Sequence, residues 1–345
     1  MEKIDVAIIG GGIAGLTLGK FLGEKGVPFI LFEEHEEFFK KACGEGIIGY
    51  TIGYNFYDLY ESKRGIEKEI WETVIHTKYG GISLEMPVIM TNKREIEEEL
   101  FRQAKKYGTI KMGKKVRKIE NGLLIPHAIK PKIIVGADGV FSIVRRYIDT
   151  RMPKCGMAVE GYSNKNNVNL DDEKCHVFIR EDIVKHGYAW CFPKKKKWNI
   201  GVGSSKKKCF REAFSKFKEK NPSIKWRGAF VPLDKPVRSY GKNAILIGDS
   251  ASHVLATLGA GIMSSMIIAK IASDIIEKFA RNDFRNIDLS EYEKAWKKVM
   301  GKYFRESYYA KTFFFGFVKS EYIKHKLLEK MCRETTKYYR KVSRK

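Results

Sequence analysis

The sequence has no CxxC pair. Its six cysteines stand singly at Cys43, Cys155, Cys175, Cys191, Cys209 and Cys332, so neither an iron–sulfur cluster nor a structural zinc has a visible ligand set. No run of about 18 uncharged apolar residues exists, which leaves no stretch suited to crossing a bilayer as a helix. An apolar strand starts almost directly after Met1, leaving no room for a signal peptide, and the expected compartment is the cytoplasm. Internal repeats and low-complexity linkers are also missing. With 345 residues, 43% of them hydrophobic and 31% charged, the composition is globular, and the chain is long enough to bury a core without disulfide staples.

Positive charge is what the sequence has in excess. Its formal net charge is +24, which suits acidic partners such as nucleic acid, anionic lipid headgroups or an acidic protein. It suits equally the Lys- and Glu-rich surface of a heat-adapted protein.

Residues 4–9 read as a buried parallel strand, Ile13 to Leu22 as a helix and Val27 to Phe32 as a second strand, the opening of a doubly wound sheet. A charged helix is expected over 95–107, with Ile96, Leu100, Phe101 and Ala104 on one face. Lys132 to Ala137 reads as another buried strand. From about 151 to 235, short alternating segments such as Cys175 to Ile179 and Trp198 to Val202 predict antiparallel strands. A buried strand returns at Ala244 to Gly248, followed by an apolar-faced helix over Ile262 to Phe279. The expected fold class is therefore α/β: a Rossmann-like dinucleotide-binding domain (residues 1–50, 90–150 and 240–280), an inserted antiparallel-sheet substrate domain (51–89 and 151–239) and a C-terminal helical region (281–345).

Gly10-Gly-Gly-Ile-Ala-Gly15 fits GxGxxG between a strand and a helix. Gly10 permits the tight turn, Gly12 lets the backbone approach a pyrophosphate, and Gly15 lets helix and strand pack closely. The helix N-terminus favours the phosphates. Glu33 ends the second strand, where a carboxylate accepts from adenosine ribose hydroxyls. Two later segments choose a flavin over nicotinamide. Gly136-Ala-Asp-Gly139 places Asp138 and Gly139 at the end of a buried strand. Ile245-Leu-Ile-Gly-Asp249 ends another, so that Asp249 faces a ribityl hydroxyl, and Gly259-Ala-Gly-Ile262 opens a helix aimed at the flavin ring. Together these segments resemble the FAD-binding fold of the aromatic-hydroxylase type.

Two further motifs narrow the resemblance. Ala42-Cys-Gly-Glu-Gly-Ile47 resembles the CGxG motif of geranylgeranyl reductases, and Tyr188-Ala-Trp-Cys-Phe-Pro193 followed by Gly201-Val-Gly203 resembles that family's YxWxFP…GxG motif. The matching pieces span about residues 4–262. The resemblance implies an FAD enzyme that saturates the double bonds of geranylgeranyl chains on membrane-lipid precursors. It implies that Gly10, Gly12, Ala14, Gly15 and Glu33 hold the ADP half, that Cys43, Gly44 and Gly46 lie along the flavin, and that Asp249, Gly259, Gly261 and Ile262 hold the ribityl chain and ring. Cys43 is the implied catalytic residue; Tyr188, Trp190, Phe192 and Pro193 are the implied lining of the prenyl channel. The family's FAD-contacting arginine falls on Lys93 by spacing and on Arg94 by residue type. The backbone of Val116 is expected at the adenine. Where the family commonly has proline after its GD motif, this chain has Ala256.

No second GxGxxG exists for a nicotinamide domain, so electrons are expected from a transient donor, an acidic ferredoxin or NADPH. Residues 281–345 carry 18 Lys or Arg against 8 Asp or Glu, interleaved with Phe313-Phe-Phe-Gly-Phe317 and the pairs Tyr308-Tyr309 and Tyr338-Tyr339. That pattern fits either aromatics packed on the body or a helix resting on anionic lipid, a peripheral membrane contact. It fits nucleic acid poorly, since no groove-reading motif accompanies it. The competing functions are an FAD-dependent aromatic monooxygenase and a flavin-containing prenyl-lipid-binding protein without turnover.

Overall fold

The computed structural model describes residues 4–342; the last three residues of the expected C-terminal region lie outside them. Two sheets organise the chain. The first has six strands in the order Tyr240–Gly241, Ala244–Leu246, Ile133–Gly136, Val6–Ile9, Phe29–Phe32, Thr109–Lys111. All its pairings are parallel except that of the edge strand Tyr240–Gly241. Strand Val6–Ile9 sits at its centre, with Val6 opposite both Phe29 and Ile133. Continuous apolar runs are needed here because both faces are covered: Ile8, Leu31 and Val135 enter one core and Ala7, Ile30 and Ile134 the other.

Helix Ile13–Glu24 packs against helices Lys93–Lys105 and Ile262–Ala280. The first of these partners begins two residues before its expected start, because Asn92 forms its N-cap and bonds Glu95 through its side chain. That shift decides which way Lys93 and Arg94 face.

The second sheet has eight strands in the order Arg227–Pro232, Cys155–Asn164, Lys197–Ser204, Gly187–Pro193, Cys175–Phe178, Ile66–Thr77, Gly80–Thr91, Gly46–Ile48. It is antiparallel with one correction to the sequence expectation. Cys175–Phe178 pairs antiparallel with Gly187–Pro193 but parallel with Ile66–Thr77, Cys175 standing opposite Thr73. Strand Gly46–Ile48, which immediately follows Cys43 and Gly44, belongs to this sheet rather than the first. The Cys43 loop therefore bridges the two sheets.

The C-terminal region is helical. Ser290–Trp296 runs through a π-helical turn into Lys302–Thr312 and a second π-helical turn, Phe313–Phe317; helix Glu321–Val342 then lies along strand Gly80–Thr91. Among the described residues no helix is long and apolar enough to cross a membrane.

Candidate active site

Strand Val6–Ile9 turns into helix Ile13–Glu24 through the glycines, and each has a separate job. Gly10 has φ +107°, and a side chain there would drive its Cβ to 2.3 Å from the carbonyl oxygen of Ala137. At Gly15 a Cβ would lie 2.0 Å from the Gly10 carbonyl oxygen, so this glycine serves helix–strand packing. Gly12 differs from both: a Cβ would meet no protein atom within 4 Å, because the position faces open space. Gly12 is the N-cap of the helix, it supplies no side-chain cap, and the first turn carries no acid. The helix N-terminus is thus left for an anion from outside the chain.

Glu33 closes this end. Its Oε2 accepts from Gly11 N–H at 2.6 Å, and its Oε1 accepts from His35 N–H at 2.9 Å. On the far side, helix Ile262–Ala280 repeats the arrangement, with Gly261 as an N-cap that offers no side chain and no acid in the first turn. A Cβ at Gly261 would sit 3.1 Å from Val254 Cγ2 and 3.4 Å from Asp249 Oδ1. Asp249 pairs with Lys41. Asp138 turns its carboxylate to the helix Ile143–Tyr147, Oδ2 accepting from Ile143 N–H at 2.7 Å, while its buried Oδ1 has no partner. Two uncapped helix ends, one of them at the open Gly12 and the other beside a carboxylate, fit a dinucleotide whose second half is a ring that gains charge on reduction, as a flavin is.

Cys43 lies between these ends. Burial pushes its thiol up, against the pull of Lys93, so it is held as the neutral thiol. Lys93 is buried, with Nζ 2.7 Å from Glu97. Burial opposes the ammonium, yet Glu97, Cys43 and Glu45 hold its pKa above the ordinary value. Arg94 is exposed and does not border the cavity.

The two motifs that flank Cys43 and Trp190 meet on one side chain. Asn199 Oδ1 accepts from Trp190 Nε1 at 2.8 Å, and its Nδ2 donates to the Cys43 carbonyl oxygen at 3.0 Å. Gly201 makes room for this: a Cβ there would stand 2.2 Å from Trp190 Cζ2. Beneath the Cys43 loop, Glu45 is buried with Lys194 at 2.9 Å, both side chains about 1% exposed, and it accepts from Tyr162 Oη at 2.6 Å and Lys93 N–H at 2.9 Å. Glu45, Lys194 and Asn199 were not singled out from sequence. The signal was present in a charged residue between the glycines of Gly44-Glu-Gly46 and a polar one inside the otherwise apolar strand Trp198 to Val202.

A single cavity of about 1560 Å³ collects these groups. Gly10, Gly12, Ala14, Glu33, Cys43, Gly44, Gly46, Lys93, Val116, Asp138, Gly139, Asp249, Gly259, Gly261 and Ile262 border it, as do Tyr188, Trp190 and Phe192. Gly15, Arg94 and Pro193 do not; Gly15 and Pro193 are buried in the fold around it. Tyr188, whose hydroxyl burial pushes up to about 12, donates to the carbonyl of Leu258 and ties the aromatic strand to the loop before Gly259. Beyond these aromatics the cavity continues between the eight-stranded sheet and the C-terminal helices, lined by Ile75, Leu84, Val177, Phe314, Leu328 and Met331. The volume exceeds the roughly 300–1,000 Å³ of an ordinary ligand pocket, leaving room for a cofactor and a second, apolar molecule.

The geranylgeranyl reductase catalytic-domain family profile matches residues 158–229. The chain is 27% identical to digeranylgeranylglycerophospholipid reductase 2 of Methanococcoides burtonii over 93% of its own length and 86% of that protein. It is 25% identical to digeranylgeranylglycerophospholipid reductase 1 of Methanosphaera stadtmanae, over 94% and 88%. Among solved structures, a geranylgeranyl bacteriochlorophyll reductase-like protein of Thermoplasma acidophilum superposes with a TM-score of 0.80 at 19% identity, covering 97% of this chain and 92% of that one. The flavin-dependent brominase Bmp2 shares the fold at a TM-score of 0.65 and 14% identity, over 96% and 100%. Fold and relatives together liken this chain to flavin-dependent oxidoreductases. Within that class the matched segment and the relatives are those of the geranylgeranyl reductases, which this chain resembles.

Proposed function

We propose that the chain is an FAD-dependent reductase that saturates C=C bonds of geranylgeranyl chains on membrane-lipid precursors. The observation that carries this reading is the continuity of one cavity from the dinucleotide cradle, past Cys43 and Trp190, into an apolar passage under the eight-stranded sheet. A long isoprenoid binds by apolar burial with few polar contacts, and the passage offers that surface.

Bound FAD supplies the hydride. Gly10 would turn the backbone and Gly12 would leave room for its pyrophosphate, Glu33 would accept from its ribose, Asp249 would face its ribityl chain, and the N-terminus at Ile262 would stabilise negative charge on the ring. Trp190 and Tyr188 orient the alkene and exclude water, which matters because an unactivated double bond offers no carbonyl to polarise. The neutral Cys43 thiol holds the proton for the second carbon. Cys43→Ala is expected to keep its flavin absorbance and lose about 10²-fold in alkene turnover; unchanged turnover removes Cys43 from the chemistry. The test of the reading as a whole is anaerobic. Adding a geranylgeranyl lipid to the chemically reduced protein should restore the oxidised-flavin spectrum, while the fully saturated lipid should leave it bleached. A spectrum that stays bleached with both lipids contradicts the reading.

The electrons come from a transient donor, an acidic ferredoxin drawn by the basic surface or NADPH. The protein works at the membrane surface. Tyr309, Phe313 and Phe317 follow one another at four-residue spacing along Lys302–Phe317 and are all exposed, Phe317 by 73%. Their neighbours Phe314 and Phe315 turn inward and border the cavity. Replacing the three exposed aromatics by serine should abolish binding to anionic vesicles in a flotation assay and spare turnover with detergent-dispersed lipid. Equal flotation of both proteins would reject the contact.

A further inference from the structure

The cavity wall beside Cys43 carries ionisable groups that the mechanism above leaves idle. Glu160, on strand Cys155–Asn164, is about 1% exposed and borders the cavity. Its Oε1 accepts from Arg227 Nε at 2.8 Å and Nη2 at 2.6 Å, and its Oε2 accepts from Asn199 Nδ2 at 3.4 Å. That same Nδ2 bonds the Cys43 carbonyl oxygen, and Glu45 Oε2 at 3.2 Å. The other charged or titratable groups facing the cluster are Lys194, paired with Glu45 and with Glu67; Lys93, whose backbone N–H donates to Glu45; Lys197, whose ammonium lies over the Tyr162 ring; and Tyr162, whose hydroxyl accepts from Arg227 Nη2 at 3.3 Å. Glu160, Glu45 and Lys194 are removed from water, and buried charge pairs are weak stabilisers of a fold, since desolvation offsets most of their attraction. The place of the two carboxylates at the cavity wall calls for another use.

We propose that Glu160 is the proton reservoir of the reduction, reloading Cys43 through cavity water after Cys43 has protonated the alkene. This rests on the reductase reading given above. In each saturation the π bond is lost and two C–H bonds form. One carbon receives the hydride, supplied by the reduced flavin, and the other receives the Cys43 S–H proton. The thiolate left behind takes the proton of Glu160, and the carboxylate, facing Arg227, is reprotonated from solvent. The direction is downhill: burial raises the thiol, while it brings the Glu160 carboxyl up to about 7 against the pull of Arg227. Near neutral pH Glu160 is therefore able both to hold a proton and to release it.

The test compares the flavin-loaded wild type with Glu160→Gln. The variant should keep its flavin spectrum and complete its first turnover at the wild-type rate, then slow about 10²-fold in steady state. Wild-type turnover should fall as pH rises through about 7, and the variant should lack that limb. A second readout needs no turnover. The infrared carbonyl band of a protonated carboxyl should titrate near neutrality in the wild type and vanish in Glu160→Gln. Arg227→Met, which leaves Glu160 in place, should move the titration and the alkaline limb to higher pH. Undiminished steady-state turnover in Glu160→Gln, or a carboxyl band that titrates in the ordinary range, overturns the proposal and leaves the reductase reading intact. A wild type that does not reduce the lipid removes both.

Discussion

Gly12→Asp should yield a protein that folds as well as the wild type and is colourless. Gly12 has φ −79° and ψ −174°, a region open to any residue, and a side chain there meets no protein atom within 4 Å. Aspartate is moreover a favoured N-cap, so the helix Ile13–Glu24 should gain from it about a few tenths of a kcal/mol, the margin by which Asp exceeds Gly at this position. The same carboxylate occupies the N–H groups that a pyrophosphate would use and sets like charge against it, at a cost of several kcal/mol. Flavin affinity should fall roughly 10³-fold, read by absorbance of the purified protein and by titration of the apoprotein. Gly10→Ala makes the contrasting control. Its positive φ and the Ala137 carbonyl oxygen at 2.3 Å should cost the fold itself, visible as a lower melting temperature. Tight flavin binding by Gly12→Asp would displace the dinucleotide from this turn.

The second large effect concerns acid stability. His253 is fully buried, packed edge-on against Trp296 at 4.7 Å between ring centroids and stacked on Phe304 at 5.6 Å, with neither ring nitrogen bonded. Burial pushes its pKa down to about 3. Above the unfolded value of about 6.5 both states are neutral and the residue adds no pH dependence. Between about 6.5 and 3 the unfolded chain binds a proton that the folded one refuses, so stability falls as pH falls. From pH 7 to pH 4 this should remove about 3 kcal/mol from the wild type. His253→Phe keeps an aromatic ring in the cage and removes the titration. Urea denaturation at both pH values should show the variant losing about 3 kcal/mol less than the wild type. Parallel losses would mean that His253 titrates normally in the folded protein.

The parts of the site legible in the sequence are those that depend on local backbone. Gly10, Gly12 and Gly15, Glu33 after its strand, and the Gly259 to Ile262 turn are set by short-range geometry, and each stands at or beside a strand or helix end. The choice between Lys93 and Arg94 turned on Asn92, whose cap fixes the helix phase and sends Lys93 inward. The C-terminal aromatics split for a related reason. Neighbours on a helix point about 100° apart, so Phe314 and Tyr339 are buried while Phe313 and Tyr338 are exposed. What the sequence conceals is long-range. Asn199, which bonds Trp190, reaches Cys43 across 156 positions of chain. The parallel insertion of Cys175–Phe178 beside Ile66–Thr77 depends on a crossover that alternation along one strand does not reveal. Glu160 and Arg227 gain meaning only once two strands distant in sequence are seen to pair.

The proposed activity requires a flavin in this cavity to pass hydride to an isoprenoid double bond. The most direct measurement is the mass of a geranylgeranyl lipid after anaerobic incubation with the flavin-loaded protein reduced by dithionite. Gains of two hydrogens per step, absent without protein and diminished in Cys43→Ala, are the predicted result. An unchanged lipid mass, or incorporation of oxygen when air is admitted in place of hydrogen gain, would contradict it.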